Sequence, residues 1–398
     1  MKKTTTSPIQ SNIWKLYAIQ ALTQALFIMP IIVLFWQSHG LNLRDIMLLQ
    51  SGFALTILIL EIPTGYLADR WGRKNTLVLG CCFGCAAYLA YATGETFWRF
   101  LLAEILIGIG SSLLSGTVEA MTYDTLLELG REREYRRVAG NQAFFEFNTE
   151  AVSGILGGLL GAYSLALPLW LTAIPMAFAV LTAASLREPK RHRLQKAAHF
   201  KTIVRVSSHT LFRDPGLRMI ILTYGLISAL SMIFFWFFQP YQNLVGVPVV
   251  FFGIMHAITL AGGACAAKSV SWFEKRVDDR LLLIIPAVMT VVCFLALSFP
   301  PSIFLLTFFL ISRLSWHFIG PLSADLINRM TSSDVRATVL SVRSFFHRLL
   351  FLCTSPFVGA LADARTLPYA LFVSGIVGGF LLLLAFVSTR SAWKEIPA

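Results

Sequence analysis

The sequence predicts an all-α membrane protein of twelve transmembrane helices, arranged as two pseudo-symmetric six-helix bundles. Three observations carry this expectation. Only 14% of the 398 residues are charged and 56% are apolar, whereas a soluble domain carries about 25% charged residues. Twelve stretches approach the ~20 mostly apolar residues that a spanning helix needs, at 13–37, 45–68, 75–93, 97–122, 137–160, 165–186, 216–240, 247–272, 281–299, 301–328, 335–361 and 367–389. The second half also echoes the first at an offset of 200: Arg136 with Arg336, Phe145 with Phe345, and Leu167-Pro168 with Leu367-Pro368.

The net charge of +12 would suit a nucleic-acid binder, but its distribution excludes that class. Lys and Arg crowd into alternate loops: Lys2 and Lys3, Arg70 to Lys74, Arg131 to Arg137, Arg187 to Arg213, Lys275 to Arg280, Arg329 and Arg336, and Arg390 and Lys394. The other loops hold only Arg44, Arg99 and Arg365. This asymmetry places both termini in the cytoplasm and the loops near Asn42, Glu95, Tyr163, Asn243, Pro300 and Thr366 outside. Residues 1–12 are polar and the first apolar run is long, so no cleavable leader is expected. All six cysteines fall inside expected spans, where they read as small buried apolar groups.

Taken in order, span one offers Gln20, Thr23 and Gln24, amides suited to hydrogen bonding with a bound molecule or between helices. Span two ends in the charged turn Gly65-Tyr66-Leu67-Ala68-Asp69-Arg70-Trp71-Gly72-Arg73-Lys74. Gly65 is expected to permit close helix approach and Gly72 a tight reversal. This turn resembles the signature loop of the major facilitator superfamily of transporters, Gly-x-Leu-Ala-Asp-Arg-x-Gly-Arg-Lys, at nearly every position. The resemblance implies the major facilitator fold and alternating access between its halves. It also implies a gating group: Gly65, Asp69, Arg70, Gly72, Arg73 and Lys74, with Arg73 facing Asp124. Asp69 would cap span eleven near Asp334-Val335-Arg336, where the helix dipole favours negative charge.

Span four ends in Glu119-Ala120-Met121-Thr122-Tyr123-Asp124-Thr125-Leu126, similar to drug-efflux-like members of the superfamily. Two positions depart from the efflux pattern. Glu104 stands where many members carry an arginine, and Ser153-Gly154-Ile155-Leu156-Gly157-Gly158 keeps the glycines of the span-five pattern but lacks its proline. Span five carries Gln142, Glu146, Thr149, Glu150, Ser153 and Gly157 along one face, since residues four apart share a side. An ionisable group at mid-bilayer costs about 2.5–3.5 kcal/mol, so these carboxylates need a cavity or a partner. They read either as proton carriers or as acids neutralising an arginine of the other half.

The polar segment 187–214 reads as a cytoplasmic linker between domains 1–186 and 215–398. Its 197–211 part can lie on anionic headgroups or remain a solvated tether. Span seven is rich in aromatics, expected mainly for packing and lipid contact, with Tyr224, Ser228, Ser231 and Phe235 on one face. His256 falls mid-span in span eight. Span ten carries Arg313, Trp316 and His317, and span eleven carries Arg343, His347 and Arg348. These cations call for acids of the other half or for an anionic cargo, and His317 and His347 are candidates for a charge change because an ordinary histidine titrates near neutral pH.

The expectation is a monomeric transporter of a bacterial inner membrane that exports an amphipathic small molecule, such as a drug, metabolite or siderophore. The proton gradient supplies the energy, so no cofactor or metal is expected, and no enzymatic constellation stands out. Proton-coupling candidates are Glu146, Glu150, Glu104, His317 and His347. Cargo-binding candidates are Gln20, Gln24, Glu104, Tyr224, Ser228, Arg313, His317 and Arg348. Proton-coupled uptake of an organic anion or amino acid, and a lipid-handling protein, are the alternatives. The topology is testable in intact cells, where a membrane-impermeant thiol reagent should label Asn42→Cys and miss Asn75→Cys; the reverse pattern would invert the assignment.

Overall fold

The computed structural model describes residues 8–190, 214–332 and 335–389. Most of the 187–214 linker, with its expected headgroup helix, therefore lies outside the described residues, as do Lys2, Lys3, Asp334, Arg390 and Lys394. Among the described residues the chain forms α-helices, short 3-10 segments and turns, with no strand. In the first half the helices are α1 (Ser11–Thr23), α2 (Ile32–Ser38), α3 (Leu43–Trp71), α4 (Arg73–Ala92), α5 (Phe97–Leu114), α6 (Thr117–Glu128), α7 (Tyr135–Gly161) and α8 (Leu167–Ala184). In the second half they are α9 (Pro215–Leu244), α10 (Phe252–Phe273), α11 (Asp279–Ala296), α12 (Leu306–Met330), α13 (Arg336–Ala364) and α14 (Leu367–Ser388).

Among the described residues, ten helical segments are long and apolar enough to cross a membrane. The other two expected stretches are helical in a different form. The fifth is α7, continuous over 27 residues but interrupted in apolarity by its polar stripe. The first is broken. Pro30 has no N–H to donate, and its ring excludes the carbonyl four residues back. The chain accordingly leaves the helix after Thr23 and resumes through the 3-10 turn Met29–Ile31 into α2.

Irregular backbone at membrane depth survives only where protein or a wet cavity satisfies it. Here Ile28 N–H donates to Thr172 Oγ1 of α8 at 3.3 Å, and Leu26 N–H turns back to the Gln24 carbonyl at 2.8 Å. Helix α7 approaches the break at Gly157, where an added Cβ would overlap the Phe27 carbonyl. A second interruption divides the expected fourth stretch. Ser115 is extended at ψ 130° and Gly116 takes φ +70°, a left-handed conformation that favours glycine, so α5 and α6 form two pieces.

The contacts divide the chain into two compact units. Unit 1 holds the described residues up to His39, those from Leu55 to Lys190, and Pro248–Ala257. Unit 2 holds Gly40–Ala54, the described residues from Asp214 to Val247, and those from Ile258 onward. Each unit therefore takes the first turns of one helix whose remainder belongs to its counterpart: α10 for unit 1 and α3 for unit 2.

In unit 1, α1 packs on α7 and α8, and α4 on α5 and α8. Leu16, Ile19, Leu77, Cys81, Met121, Ala179 and Ala183 form its core. Outside the spans, Arg131 and Arg137 converge on Glu134, and the hydrogen bond from Arg131 holds the Glu134 carboxyl below its ordinary range.

Unit 2 is built round α9, which packs against α12, α13 and α14. Asp214 caps this helix by accepting from Leu217 N–H at 2.9 Å, and Pro215 opens it where no donor is needed. The aromatics of α9 are largely core residues rather than lipid-facing ones. Phe234, Trp236 and Phe237 are buried, and Phe234 packs edge-on to Phe294 at 4.1 Å. Large exposed apolar side chains lie elsewhere in the unit, among them Phe304, Phe357 and Leu383.

The helix break yields a matched pair of substitutions on α7. Gly157→Ala must push Phe27 aside and should cost about 3 kcal/mol or more. Gly140→Ala meets nothing within 4 Å and should stabilise by about 0.4–1 kcal/mol. Thermal unfolding in detergent reads both, and equal behaviour of the two variants would refute the packing assignment.

Candidate functional site

Unit 1 encloses a cavity of about 520 Å³, within the usual range for a small-molecule site. Both helix interruptions border it, span one through Gln24 and Leu26 and span four through Ser115 and Gly116. Side chains of α7 form the facing wall, among them Gln142 and Glu146, while Tyr88 of α4 and Met176 of α8 add apolar surface.

Glu146 is the centre of this wall. Gln20 Nε2 donates to its Oε2 at 2.8 Å, and Gln24 Nε2 donates to its Oε1 at 3.2 Å. Gln20 and Gln24 present from the same side because they are one turn apart on α1. An ionised carboxylate accepts from both amides. A protonated one can donate to an amide oxygen once that amide turns over, so both charge states remain bonded. Gln142 is anchored separately by donating to Thr122 Oγ1 at 2.9 Å. Among the described residues, the charged side chains on the cavity wall are Glu119 and Glu146.

Glu150, one turn beyond Glu146, lies off this cavity. Its Oε1 is 3.4 Å from Nε2 of His256, in the α10 segment that unit 1 contains. Glu104 is also elsewhere: it is buried between α4 and α5, where Tyr91 donates its hydroxyl to it. Glu104 does not border the 520 Å³ cavity. Its partner is a tyrosine of the neighbouring helix, which removes the need for a wet wall.

The charged turn is shorter than its sequence suggests. Helix α3 continues through Asp69, Arg70 and Trp71, all exposed, and Gly72 alone makes the reversal at φ +112°. Arg73 and Lys74 already belong to α4, and their backbone N–H groups are capped by Glu188 at 2.9 and 2.8 Å. The Arg73 guanidinium binds both Asp124 and the Ala120 carbonyl. Gly65 does not mark a close approach, because a Cβ there would meet nothing within 4 Å. Arg336, the first residue of α13, donates to the Asn328 and Thr331 carbonyls at 3.1 and 3.3 Å. Residues 333 and 334, where Asp69 was expected to cap, lie outside the described residues.

In unit 2 the basic side chains have partners that a count of charges does not reveal. The Arg313 guanidinium lies 4.8 Å from the Phe235 ring centroid and 4.5 Å from that of Trp316, cation–π contacts that stabilise a desolvated cation. Arg343 donates to the Gly320 carbonyl at 2.9 Å and to Ser323 Oγ at 2.7 Å, and covers Tyr224 at 4.3 Å. His347 meets the same Tyr224 ring edge-on, with Arg348 beside it. His317 packs against Gly263 and Trp316. Tyr224 and Ser228 are buried within unit 2. Arg313 borders a much smaller cavity of about 20 Å³ with Ser231 and Thr259.

Unit 2 also repeats the Arg73–Asp124 pair with its signs exchanged. Asp279, at the start of α11, accepts from Arg329, at the end of α12, at 2.8 Å, and Arg329 also pairs with Asp325. These residues and Glu188 escaped the sequence reading. The signal for the pair was present as an offset near 205, but it was hidden by the inversion of charge. Arg73→Asp should cost about 3 kcal/mol by leaving a buried acid opposite another. The double variant Arg73→Asp, Asp124→Arg rebuilds the unit 2 arrangement and should recover roughly half or more in thermal unfolding; no recovery would show that the pair is not the stabilising contact.

The sequence profile of the Major Facilitator Superfamily matches residues 13–352. An uncharacterized MFS-type transporter of Methanocaldococcus jannaschii is 34% identical over 89 residues, 22% of this chain and 23% of that protein. Multidrug resistance protein 2 of Bacillus subtilis is 24% identical over 217 residues, 52% of each chain. The chain thus spans about half or less of the length of these two relatives. Among solved structures, the nucleoside transporter NupG superposes with a TM-score of 0.80 at 13% identity, covering 94% of this chain and 98% of that one. A bacterial homolog of the lysosomal transporter Spinster gives 0.75 at 15% identity, with 99% of both chains covered. These superpositions establish the fold, and with the profile match over most of its length the chain belongs to the Major Facilitator Superfamily.

Proposed function

We propose that this transporter exports an amphipathic small molecule in exchange for protons, with Glu146 as the proton-binding group and the unit 1 cavity as the cargo site. One observation carries the reading: a carboxylate held by two side-chain amides on a cavity bordered by two interrupted helices. Discontinuous helices mark the substrate and ion sites of many transporters, and the amides keep Glu146 bonded whether or not it is charged. Two relatives named as multidrug resistance proteins, from Bacillus subtilis, support export.

The charge of the wall favours a cargo with a basic centre. Glu119 and Glu146 face the cavity, along with amides, hydroxyls and the apolar surface of Tyr88 and Met176. An anionic cargo finds less support. The Arg313 guanidinium is already stacked on two rings, and its cavity of about 20 Å³ is too small for an organic anion.

The test uses the full chain in proteoliposomes with an amphipathic fluorescent cation such as ethidium. Wild-type protein should move the dye against its gradient when a pH difference is imposed. Glu146→Gln should lower that movement at least about tenfold, the scale of a typical coupling free energy, while dye exchange at equal pH persists. Gradient-driven movement at the wild-type rate in Glu146→Gln would overturn the assignment.

A further inference from the structure

Unit 2 holds a cavity of about 260 Å³ that shares no residue with the cavity of unit 1. It is a slot between α9, α13 and α14, walled by Leu230 and Ile233 of α9, by residues from Leu350 to Leu361 of α13 and by residues from Val373 to Leu381 of α14. Glycines draw α9 against both of its neighbours. A Cβ on Gly378 of α14 would come to 2.7 Å from the Leu230 side chain, and one on Gly225 of α9 to 2.5 Å from the Phe346 ring of α13. The lining includes the exposed side chains of Phe357 on α13 and Val377 on α14, which form its rim. Val373 to Leu381 and Leu350 to Leu361 run for about 12 and 17 Å at 1.5 Å per residue. One leaflet of a bilayer provides hydrocarbon to a similar depth of about 15 Å.

The hydroxyls of the lining are paired within their own helices. Thr354 donates to the Leu350 carbonyl and Ser374 to the Ala370 carbonyl, both at 2.7 Å. The Cys353 thiol is a weak donor. Such a wall suits hydrocarbon. Polar chemistry appears at one end of the slot. Arg365 caps α13 four residues after Leu361, whose carbonyl accepts its N–H at 3.1 Å, and Tyr369 lies in the first turn of α14, four residues before Val373. Residues four apart share a helix face, so each carries a slot wall on to the helix terminus. Arg365 belongs to the charge-poor set of loops, with Arg44 and Arg99. Its side chain is exposed and makes no ion pair or hydrogen bond among the described residues. The neighbouring acid, Asp363, accepts instead from Leu43 N–H at 3.0 Å and from Arg44 N–H at 2.7 Å.

We propose that this slot is a phospholipid site, with one acyl chain lying in it and the headgroup phosphate held by Arg365, beside Tyr369. Helices α13 and α14 are long and apolar enough to cross a membrane. An exposed apolar rim on such helices meets hydrocarbon, and the acyl chain is the hydrocarbon at hand. A guanidinium grips two phosphate oxygens through parallel N–H bonds. A tyrosine at the membrane boundary adds an apolar ring and a donor hydroxyl. The headgroup decides occupancy, because lipid tails are as apolar as leucine and an acyl chain gains little by leaving them for the slot. The site goes beyond the export reading, since it lies outside the cavity of unit 1 and holds for any cargo and either direction.

Cys353 lines the slot and is exposed, so it serves as a native reporter. Full-length protein with the other cysteines replaced is held in dodecyl maltoside micelles with increasing dioleoyl-phosphatidylglycerol, and alkylation of Cys353 by N-phenylmaleimide is timed. Saturating phospholipid should slow the reaction at least about fivefold, because alkylation needs access to the thiol. Dioleoylglycerol, with the same chains and no phosphate, should leave the rate within about twofold, since the chains alone gain little. Arg365→Ala, at an exposed position, should raise the lipid fraction for half protection about tenfold, the scale of one lost charge-assisted hydrogen bond. Arg365→Lys keeps the charge without the fork and should fall between the two. Thr354→Trp fills the slot from an exposed position and should abolish the dependence on phospholipid. A rate indifferent to phospholipid in the otherwise unsubstituted slot overturns the proposal whether or not the variants fold. So does equal protection by dioleoylglycerol, half protection unchanged in Arg365→Ala, or a dependence that persists in Thr354→Trp.

Discussion

The constraint on which this structure depends is that polar groups in a bilayer must find their partners inside the protein. An unsatisfied backbone or side-chain group in hydrocarbon costs several kcal/mol. Several irregular features among the described residues are accompanied by a local answer to that cost. The break after α1 is met by Thr172 and by the close approach of α7 at Gly157. Glu146 is met by Gln20 and Gln24, and Arg343 by a carbonyl, a hydroxyl and a ring face. The cavity of unit 1 lies where two such interruptions meet. The features that make a binding site possible are therefore the same features that the membrane penalises.

Much of this architecture was legible in the sequence, because span length and apolarity follow directly from bilayer thickness. The reversal at Gly72 was legible for a comparably direct reason, since φ +112° favours a residue without a Cβ. The broken first span was not foreseen, although Pro30 was in view. A count of apolar residues does not register a missing N–H. Gln20, Gln24 and Glu146 each stood out as polar residues in apolar surroundings. That the three meet depends on the relative rotation of α1 and α7, which one sequence does not specify. The meeting of Glu104 with Tyr91 was hidden for a related reason, because Tyr91 sits on another helix and looks like any apolar-span tyrosine.

The arginines of unit 2 show a different limit. Counting charges alone makes Arg313 a cation in search of an anion. Counting aromatic faces as well gives it Phe235 and Trp316, residues already visible in spans seven and ten. A guanidinium is planar and weakly hydrated, so ring faces suit it better than they suit an ammonium. The positive character of that unit is thus partly structural, since ring faces take up part of its buried charge.

The faintness of the internal repeat has a physical reason of its own. At the end of α6 and the start of α4, unit 1 sets Arg73 against Asp124; at the matching ends of α11 and α12, unit 2 sets Asp279 against Arg329. The crossing requires complementary charges at fixed positions, and either assignment of sign fulfils it. The same holds for the small residues of α7 and α13, where Gly154 and Gly158 answer to Ser355 and Gly359. What the two halves share is the geometry of helix contact, and the residues are free to differ wherever that geometry is kept. Chemistry that breaks the symmetry then becomes informative. One seam, that of α13, is closed by a carboxylate on fixed backbone donors, and the other, that of α7, sets a carboxylate against an imidazole.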